Sequence, residues 1–296
     1  MRFDGRVAVV TGAGRGIGRA YAHLLAERGA AVVVNDLGGS MDGEGTAAEP
    51  AIDVAEEIRS AGGTAVADTN DVSAAAGATA VVQTAIGAYG RIDILINNAG
   101  IIRWARFPEA DERNLIRHLA VHTMGSFNTA RAAWPHMAGQ GYGRIVMTTS
   151  SGIFGVPGNT AYATAKGGVI GLARSLAVSG SALGIKVNLI APAAVTRMAG
   201  DAGPPAMTPE LVAPMAAYLA HEECPVTGEI YAAGAGRFAR IFLASTVGYV
   251  HPGTDATIED VAAHWSAVND ESGYSVPADL MGWSATFLAH LGEGGA

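Results

Sequence analysis

Arg6-Val-Ala-Val-Val-Thr11-Gly-Ala-Gly-Arg-Gly-Ile-Gly18 is a short apolar run that empties into a glycine cluster, and its reading sets the fold. Residues 6–11 have the composition of a buried strand. From 16 to 28 the spacing turns helical, with Ile17, Tyr21, Leu24 and Leu25 on one side. Glycines between a strand and a helix allow positive φ and close backbone approach, and the helix N-terminus offers free N–H groups to a phosphate. The Gly-x-Gly-x-x-Gly spacing does not fit, because the sixth position counted from Gly12 is Ile17; the pattern is Thr-Gly-x-x-x-Gly-x-Gly. A second buried strand over 30–35 ends at Asp36, 18 residues after Gly18. A carboxylate there can accept hydrogen bonds from an adenosine ribose and repel a 2′-phosphate. These residues predict a dinucleotide site that favours NAD over NADP, with Arg15 pulling the other way because it attracts phosphate.

Working outward, strands and helices alternate. Residues 37–49 form a Gly/Ser/Asp loop long enough to be a functional flap. Helices are predicted over 50–61, 73–89, 109–137 (broken or bent near Pro135), 162–179 and 209–221. Strands are predicted over 64–68, 92–97, 144–149, 185–190 and 229–233, which makes seven in all. Apolar strands separated by helices imply a doubly wound α/β fold with a parallel sheet covered on both faces. The alternation stops at Arg237. The expected organisation is therefore a nucleotide-binding domain over 1–236 and a C-terminal extension over 237–296. Trp265, Tyr274, Trp283 and Phe287 in the extension read as packing residues, set against the domain or a partner subunit.

Tyr162-Ala-Thr-Ala-Lys166 carries the chemistry. Two of the 19 basic residues are lysines, Lys166 and Lys186. Chance would place a lysine four residues after a tyrosine about 0.05 times in such a chain. An i,i+4 pair shares a helix face, so the ammonium can sit beside the phenol. A nearby cation lowers a tyrosine from its ordinary value of about 10 and makes it a general base or acid near neutrality.

Composition narrows the partners. Hydrophobic residues are 49% and charged residues 16% of the chain, so there is ample material for a core. A formal net charge of −8 and the lack of a basic run argue against nucleic acid. Cys224 is the single cysteine, which excludes an intramolecular disulfide and a Cys-rich metal site, and no metal is expected. Met1-Arg-Phe-Asp-Gly-Arg-Val runs straight into a strand without signal-peptide character, and no apolar segment reaches the ~18 residues needed to span a bilayer. The expectation is a soluble cytoplasmic protein acting on a small molecule.

With the glycine loop and the Tyr162/Lys166 pair in place, the chain resembles the short-chain dehydrogenase/reductase family over roughly residues 3–235. Asn97-Asn98-Ala99-Gly100 closes the fourth strand as the family's Asn-Asn-Ala-Gly does, on the nicotinamide side. Asp71-Val72 matches the family's adenine-contacting pair, and Thr227-Gly228 precedes the last strand as in relatives. Pro192 follows the sixth strand, with Val195-Thr196 where the family contacts the carboxamide, although Pro192-Ala193 stands in place of the usual Pro-Gly. The resemblance thus implies a cofactor site of Thr11, Gly12, Arg15, Gly16, Ile17, Gly18, Asp36, Asp71, Val72, Asn98, Ala99, Gly100, Tyr162, Lys166, Pro192, Val195 and Thr196.

It also implies a serine about a dozen residues before the tyrosine. Ser150 lies twelve before Tyr162 and fits best; Thr149 and Ser151 stay open. Tyr162 would take the substrate hydroxyl proton, Lys166 would lower the Tyr162 pKa and bond the nicotinamide ribose, and Ser150 would donate to the substrate oxygen. His122 stands where the family often has an asparagine that holds a relay water, and both a relay and a structural role remain open.

A narrower likeness lies in Val34-Asn-Asp-Leu-Gly-Gly, Arg131-Ala-Ala-Trp-Pro-His-Met and His221-Glu-Glu-Cys, which look like the dehydrogenase parts of the type 2 multifunctional enzymes of peroxisomes. That subgroup is similar in its extended loop after Asp36. It implies (3R)-hydroxyacyl-CoA oxidation, with 17β-hydroxysteroids taken by some members. The chain is expected to end near the dehydrogenase boundary, and Gly294-Gly-Ala is not a peroxisomal address. Arg103-Trp104-Ala-Arg106 reads as a solvated loop or as a contact for an anionic CoA moiety. The Ala/Gly/Pro-rich 198–207 stretch faces substrate and names no functional group. Another secondary alcohol (terpenoid or sugar), or a non-catalytic dinucleotide sensor, is the alternative function. The resemblance implies a homodimer or homotetramer through the 109–137 and 162–179 helices.

Overall fold

The computed structural model describes residues 1–196, 204 and 206–291. Within the predicted 198–207 stretch, only 204, 206 and 207 are described; the rest of it and the Gly294–Ala296 end lie outside the described residues. The chain divides into two compact units, Met1–Arg240 and Ile241–Ala296.

The first unit is a doubly wound α/β sheet. Its strands are β1 (Val7–Thr11), β2 (Ala31–Asn35), β3 (Thr64–Asp68), β4 (Ile94–Asn97), β5 (Gly143–Thr148), β6 (Ile185–Pro192), β7 (Ile230–Gly234) and β8 (Arg237–Ile241), in the order β3-β2-β1-β4-β5-β6-β7-β8. β1 to β7 pair in parallel, as the apolar runs require. The expected count of seven is corrected to eight. β8 was missed because it follows β7 after two residues, Ala235 and Gly236, both at positive φ. That is hairpin geometry, not a strand–helix crossover, and it lacks the Asn-Gly or Asp-Gly signal that usually announces one.

Why the strands are apolar throughout follows from the two layers around them. Helices α1 (Gly16–Glu27), α2 (Glu49–Ser60) and α7 (Ala213–Ala220) pack together, as do α3 (Ala75–Tyr89), α5 (Gly125–Gln140) and α6 (Thr160–Gly180). Ala8, Val10, Val32, Val34, Ile94, Ile96 and Val146 join Tyr21, Leu25, Val54, Ile58 and Leu219 in one core cluster. Their alternates Val9, Val33, Leu95 and Ile145 are as fully buried, and successive strand side chains point to opposite faces. Each such side chain contributes roughly 1.5–3 kcal/mol on burial.

The predicted 109–137 helix is corrected as well. Asp111 caps a shorter α4 (Glu112–His118), accepting from Asn114 N at 2.7 Å. A π-helical turn, Leu119–Met124, then leads into α5. α5 runs through Pro135 without ending there. The carbonyl that Pro135 cannot bond belongs to Arg131, which is exposed, so water can serve it. The irregularity thus sits at His122, not at the proline.

Strand order reverses between β1 and β4, which opens a crevice beyond their carboxyl ends. Thr11 Oγ1 accepts from Asn98 N (3.1 Å) and Ala99 N (3.0 Å), and Asn98 Nδ2 donates to Thr11 O (3.1 Å) and Gly12 O (3.0 Å). The two loops that border the crevice are thereby stitched together.

The second unit carries α8 (Ile258–Ala263), α9 (Trp265–Val268) and α10 (Leu280–Phe287). Thr257 and Asp260 form a capping box on α8. Tyr249 stacks on His264 at 3.8 Å, Trp283 on Phe287 at 4.5 Å and Tyr274 on Phe242 at 5.8 Å. Of the four aromatics read as packing residues, three stack within this unit, yet Tyr274 and Phe287 stay exposed, as does Trp265.

Candidate functional site

A cleft of about 600 Å³ opens at the switch point. Of the residues expected at a cofactor, Gly12, Arg15, Gly16, Ile17, Asp36, Asp71, Val72, Asn98, Ala99, Gly100, Pro192 and Thr196 line it, together with Ser150, Tyr162, Lys166 and His122. Thr11, Gly18 and Val195 do not line it. Thr11 is spent on the β1–β4 stitching, and Val195 N donates to Met207 O at 2.7 Å. Gly18 packs the loop on its helix: a Cβ there would lie 2.1 Å from Gly12 O.

The residues present fit a dinucleotide. Gly12 and Gly16 sit at φ +63 and +53, where side chains are strained. Helix α1 begins with no side-chain cap and no acid in its first turn, so its leading N–H groups are available to an anion. Asp36 is more tightly held than its sequence position suggests. Its Oδ2 accepts from Gly14 N at 2.9 Å and its Oδ1 from Gly38 N at 2.7 Å. Gly14, an unspecified position in the glycine pattern, is needed there, because a Cβ would lie 2.6 Å from Pro50 Cβ.

The loop after Asp36 crosses toward the other end of the cleft. Arg15 Nη1 donates to Gly39 O (3.3 Å), Ile102 N donates to Met41 O (2.9 Å), and Arg117 of α4 donates to Gly43 O. Gly39, Ser40 and Gly43 of this loop line the cleft.

At the β4–β5 side the titratable groups converge. Ser150 lines the cleft beside Tyr162, its Oγ accepting from Gly152 N at 3.0 Å. Thr149 is buried with its Oγ1 donating to Lys166 O (3.0 Å), and Ser151 is exposed. Of the three hydroxyls left open by sequence, Ser150 is the one that faces the phenol. Lys166 Nζ donates to Thr148 O at 2.7 Å and lies 5.5 Å from the Tyr162 ring centroid. Burial pushes the Lys166 ammonium down to about 7.

The expected lowering of Tyr162 by Lys166 is corrected. Burial raises the phenol, and the neighbouring Ser150 hydroxyl is the opposing influence. The physical reason is that Lys166 is aimed at a carbonyl and burial itself disfavours its charge.

Two buried histidines flank Tyr162. The His122 ring meets the Tyr162 ring edge-on at 5.2 Å and stacks on His118 at 5.9 Å. His118 Nδ1 lies 2.8 Å from Asn114 O and its Nε2 accepts from Arg103 N at 3.3 Å, so both nitrogens are satisfied by a neutral ring. His122 Nε2 lies 2.8 Å from Ile101 O, while Nδ1 is buried without a partner among the described residues. Burial, with Lys166 nearby, holds His122 well below the ordinary histidine range, hence neutral. Gly100 makes room for it, since a Cβ would lie 2.6 Å from His122 Cε1.

Sequence reasoning missed His118, Gly14, Gly152, Asn159 and Arg117. Gly14 and Arg117 act through neighbours distant in sequence, and Gly152 and Asn159 through a loop geometry that no spacing encodes, so the i,i+4 spacing of His118 and His122 was the signal to be read. Among the described residues no His, Cys, Asp or Glu cluster is placed to hold a metal, and no helix is long and apolar enough to cross a membrane.

A glycine turn at the switch point and a serine, a tyrosine and a buried lysine lining one cleft define a nicotinamide-dependent oxidoreductase site. The chain belongs to the short chain dehydrogenase family, whose sequence profile matches residues 6–204, and members of this family work with NAD(P). It is 45% identical to the peroxisomal multifunctional enzyme type 2 of Drosophila melanogaster, across 100% of this chain and 51% of that one. The solved full-length structure of that protein superposes with TM-score 0.83 at 37% identity, over 99% of this chain and 50% of the other. The chain therefore spans about half the length of this relative. A short chain dehydrogenase from Mycobacterium avium superposes with TM-score 0.81 at 35% identity, over 91% of this chain and 98% of that one. A 7α-hydroxysteroid dehydrogenase complexed with NADH and 7-oxo-glycochenodeoxycholic acid gives TM-score 0.72 at 29% identity, covering 79% and 95%.

Proposed function

We propose that this oxidoreductase interconverts a secondary alcohol and a ketone on a 3-hydroxyacyl-CoA, or on a hydroxysteroid, with NAD. The observation that carries the reading is the meeting of Ser150, Tyr162 and Lys166 with the glycine loop and Asp36 in one cleft. Likeness to the multifunctional enzyme over the whole chain supports the acyl-CoA assignment. A bound nicotinamide dinucleotide would exchange hydride with the carbinol carbon. Gly12, Gly16 and the first turn of α1 would hold its phosphates, Asp36 the adenosine ribose, and Asp71-Val72 the adenine. Asn98, Ala99, Gly100, Pro192 and Thr196 would hold the nicotinamide side. NAD is preferred over NADP because the Asp36 carboxylate would meet a 2′-phosphate.

In oxidation, Tyr162 Oη takes the hydroxyl proton as the C–H hydride leaves. Ser150 donates to the substrate oxygen, where charge develops. Lys166, held beside Tyr162 by its bond to Thr148 O, would bond the nicotinamide ribose. His122, neutral and with Nδ1 unpaired, accepts from a water that passes the proton onward.

Exposed Ile116, Met124 and Phe127 on the α4–α5 segment support a homodimer or homotetramer. A cytoplasmic location belongs to the same reading. Replacing Tyr162 by Phe is expected to lower turnover by roughly 10²–10⁴-fold while NAD still binds; unchanged turnover would remove Tyr162 as the base. NAD reduction measured on a panel of acyl-CoA and steroid alcohols tests the substrate. No rate on any CoA thioester would overturn the acyl-CoA assignment, and NADP binding as tight as NAD would overturn the reading of Asp36.

A further inference from the structure

Asn159 occupies the N-cap position of α6, three residues before Tyr162. Asparagine is favoured at N-caps because its side chain accepts a hydrogen bond from the helix's first N–H groups. Here the side chain makes no cap bond. Instead it lines the cleft, is 5% exposed as a residue, and leaves Oδ1 buried without a partner among the described residues. An unpaired buried amide atom costs free energy comparable to a lost hydrogen bond, so the amide is held in this orientation at a cost, with its Nδ2 end beside Gly152 of the cleft lining.

The position is fixed from outside the cleft. Asn159 bridges Ala105 in parallel register, and Ala105 N donates to Gly158 O at 3.1 Å. Ala163 N donates to Asn159 O at 2.8 Å.

Gly152 shows where the amide points. A Cβ on Gly152 would lie 2.8 Å from Asn159 Nδ2, 3.2 Å from Ser150 Oγ and 3.6 Å from Tyr162 Cε1. The amide and the Ser150 hydroxyl therefore stand within about 6 Å of one another around a space that glycine keeps clear. Gly152 is not at positive φ, so the backbone does not demand glycine there. The opening itself does.

We infer that Asn159 is a substrate-binding residue that reads a second oxygen on the substrate, one methylene beyond the carbinol carbon held by Ser150 and Tyr162. The chemical class is a 3-oxygenated acyl thioester, whose carbonyl takes the amide N–H. This rests on the acyl-CoA reading above and deepens it. The donor already borders that opening, Nδ2 standing 2.8 Å from where a Gly152 Cβ would lie, while Oδ1 is the buried end of the amide.

The experiment compares kcat/KM on 3-hydroxyoctanoyl-CoA, on its N-acetylcysteamine thioester and on 2-octanol, which lacks the second oxygen, using the full chain with NAD. In Asn159→Leu the ratio of either thioester to 2-octanol is expected to fall roughly 10- to 100-fold. Asn159→Asp keeps the shape, loses the donor, and gives the same fall if the leucine variant does not fold. Asn159→Gln restores part of the ratio. Gly152→Ala, which crowds the amide while leaving Asn159 in place, lowers it too.

An unchanged ratio in the Leu and Asp variants, with the wild type still preferring the thioesters, overturns the role of Asn159 and leaves the substrate reading standing. A wild type that prefers 2-octanol to both thioesters overturns both.

Discussion

Replacing Lys166 by methionine is expected to stabilise the cofactor-free protein while disabling it. An unfolded chain holds a lysine near its ordinary 10.5, and burial brings Lys166 to about 7 in the fold. Between those values the unfolded chain binds a proton that the folded chain does not, so the native state gains stability as pH rises from about 7 toward 10.5. Below about 7 both states carry the proton and the cost is constant. At pH 7 the buried ammonium costs about 4 kcal/mol relative to a neutral side chain. Methionine removes that cost but strands the Thr148 carbonyl, worth roughly 1–3 kcal/mol, so the net gain is about 1–3 kcal/mol. From pH 7 to pH 9 the wild type should close the gap by about 2 kcal/mol, since one proton is worth at most about 1.4 kcal/mol per pH unit. Urea melts of both proteins at pH 7, 8 and 9 measure it, and the difference between them cancels the other titrating groups. Parallel pH profiles, or a methionine variant less stable at pH 7, would refute the buried-ammonium argument.

Two further outcomes follow from the hydrogen bonds. Asp36→Ser removes the acid that would repel a 2′-phosphate, but it also strands Gly14 N and Gly38 N. Relaxed NAD/NADP selectivity in titrations should therefore come with a stability loss of roughly 2–4 kcal/mol, and a loss of selectivity with no fall in melting temperature would contradict it. Asp93 is fully buried at the opposite end of β4. It accepts from Val7 N (2.9 Å), Arg6 (3.2 Å) and Arg91 (2.5 and 2.7 Å). Asp93→Ala should cost about 3–5 kcal/mol in denaturant melts without altering NAD affinity in whatever folded protein remains; selective loss of NAD binding would show that this end of the sheet is coupled to the cleft.

What could be read from sequence was what local patterns encode. The apolar strands, the glycine turn and the Tyr162–Lys166 spacing are each short-range signals, and they placed the sheet and most cleft residues. β8 escaped because Ala235-Gly236 looks like the end of a pattern, whereas a two-residue hairpin is what the sheet edge uses. The π-turn at Leu119–Met124 escaped because helical periodicity carries no mark of one extra backbone step. Asn159 and Gly152 matter through an opening between two loops, and Gly14 through contact with Pro50 and Asp36. None of these has a spacing rule. The electrostatics of Tyr162 were misjudged for a related reason: burial depends on the whole fold, and Lys166 turns its ammonium to the Thr148 carbonyl.

The two lysines make a spectroscopic point. Lys186 Nζ donates to Cys224 O at 2.5 Å, as Lys166 Nζ does to Thr148 O. Protein grown on isotope-labelled lysine would carry two side-chain amine signals, one from the cleft and one from the sheet. Arginines supply the remaining basic side chains and stay silent in such a spectrum. The protonation of the cleft amine can thus be followed directly in the unmodified protein, with the second lysine as an internal reference.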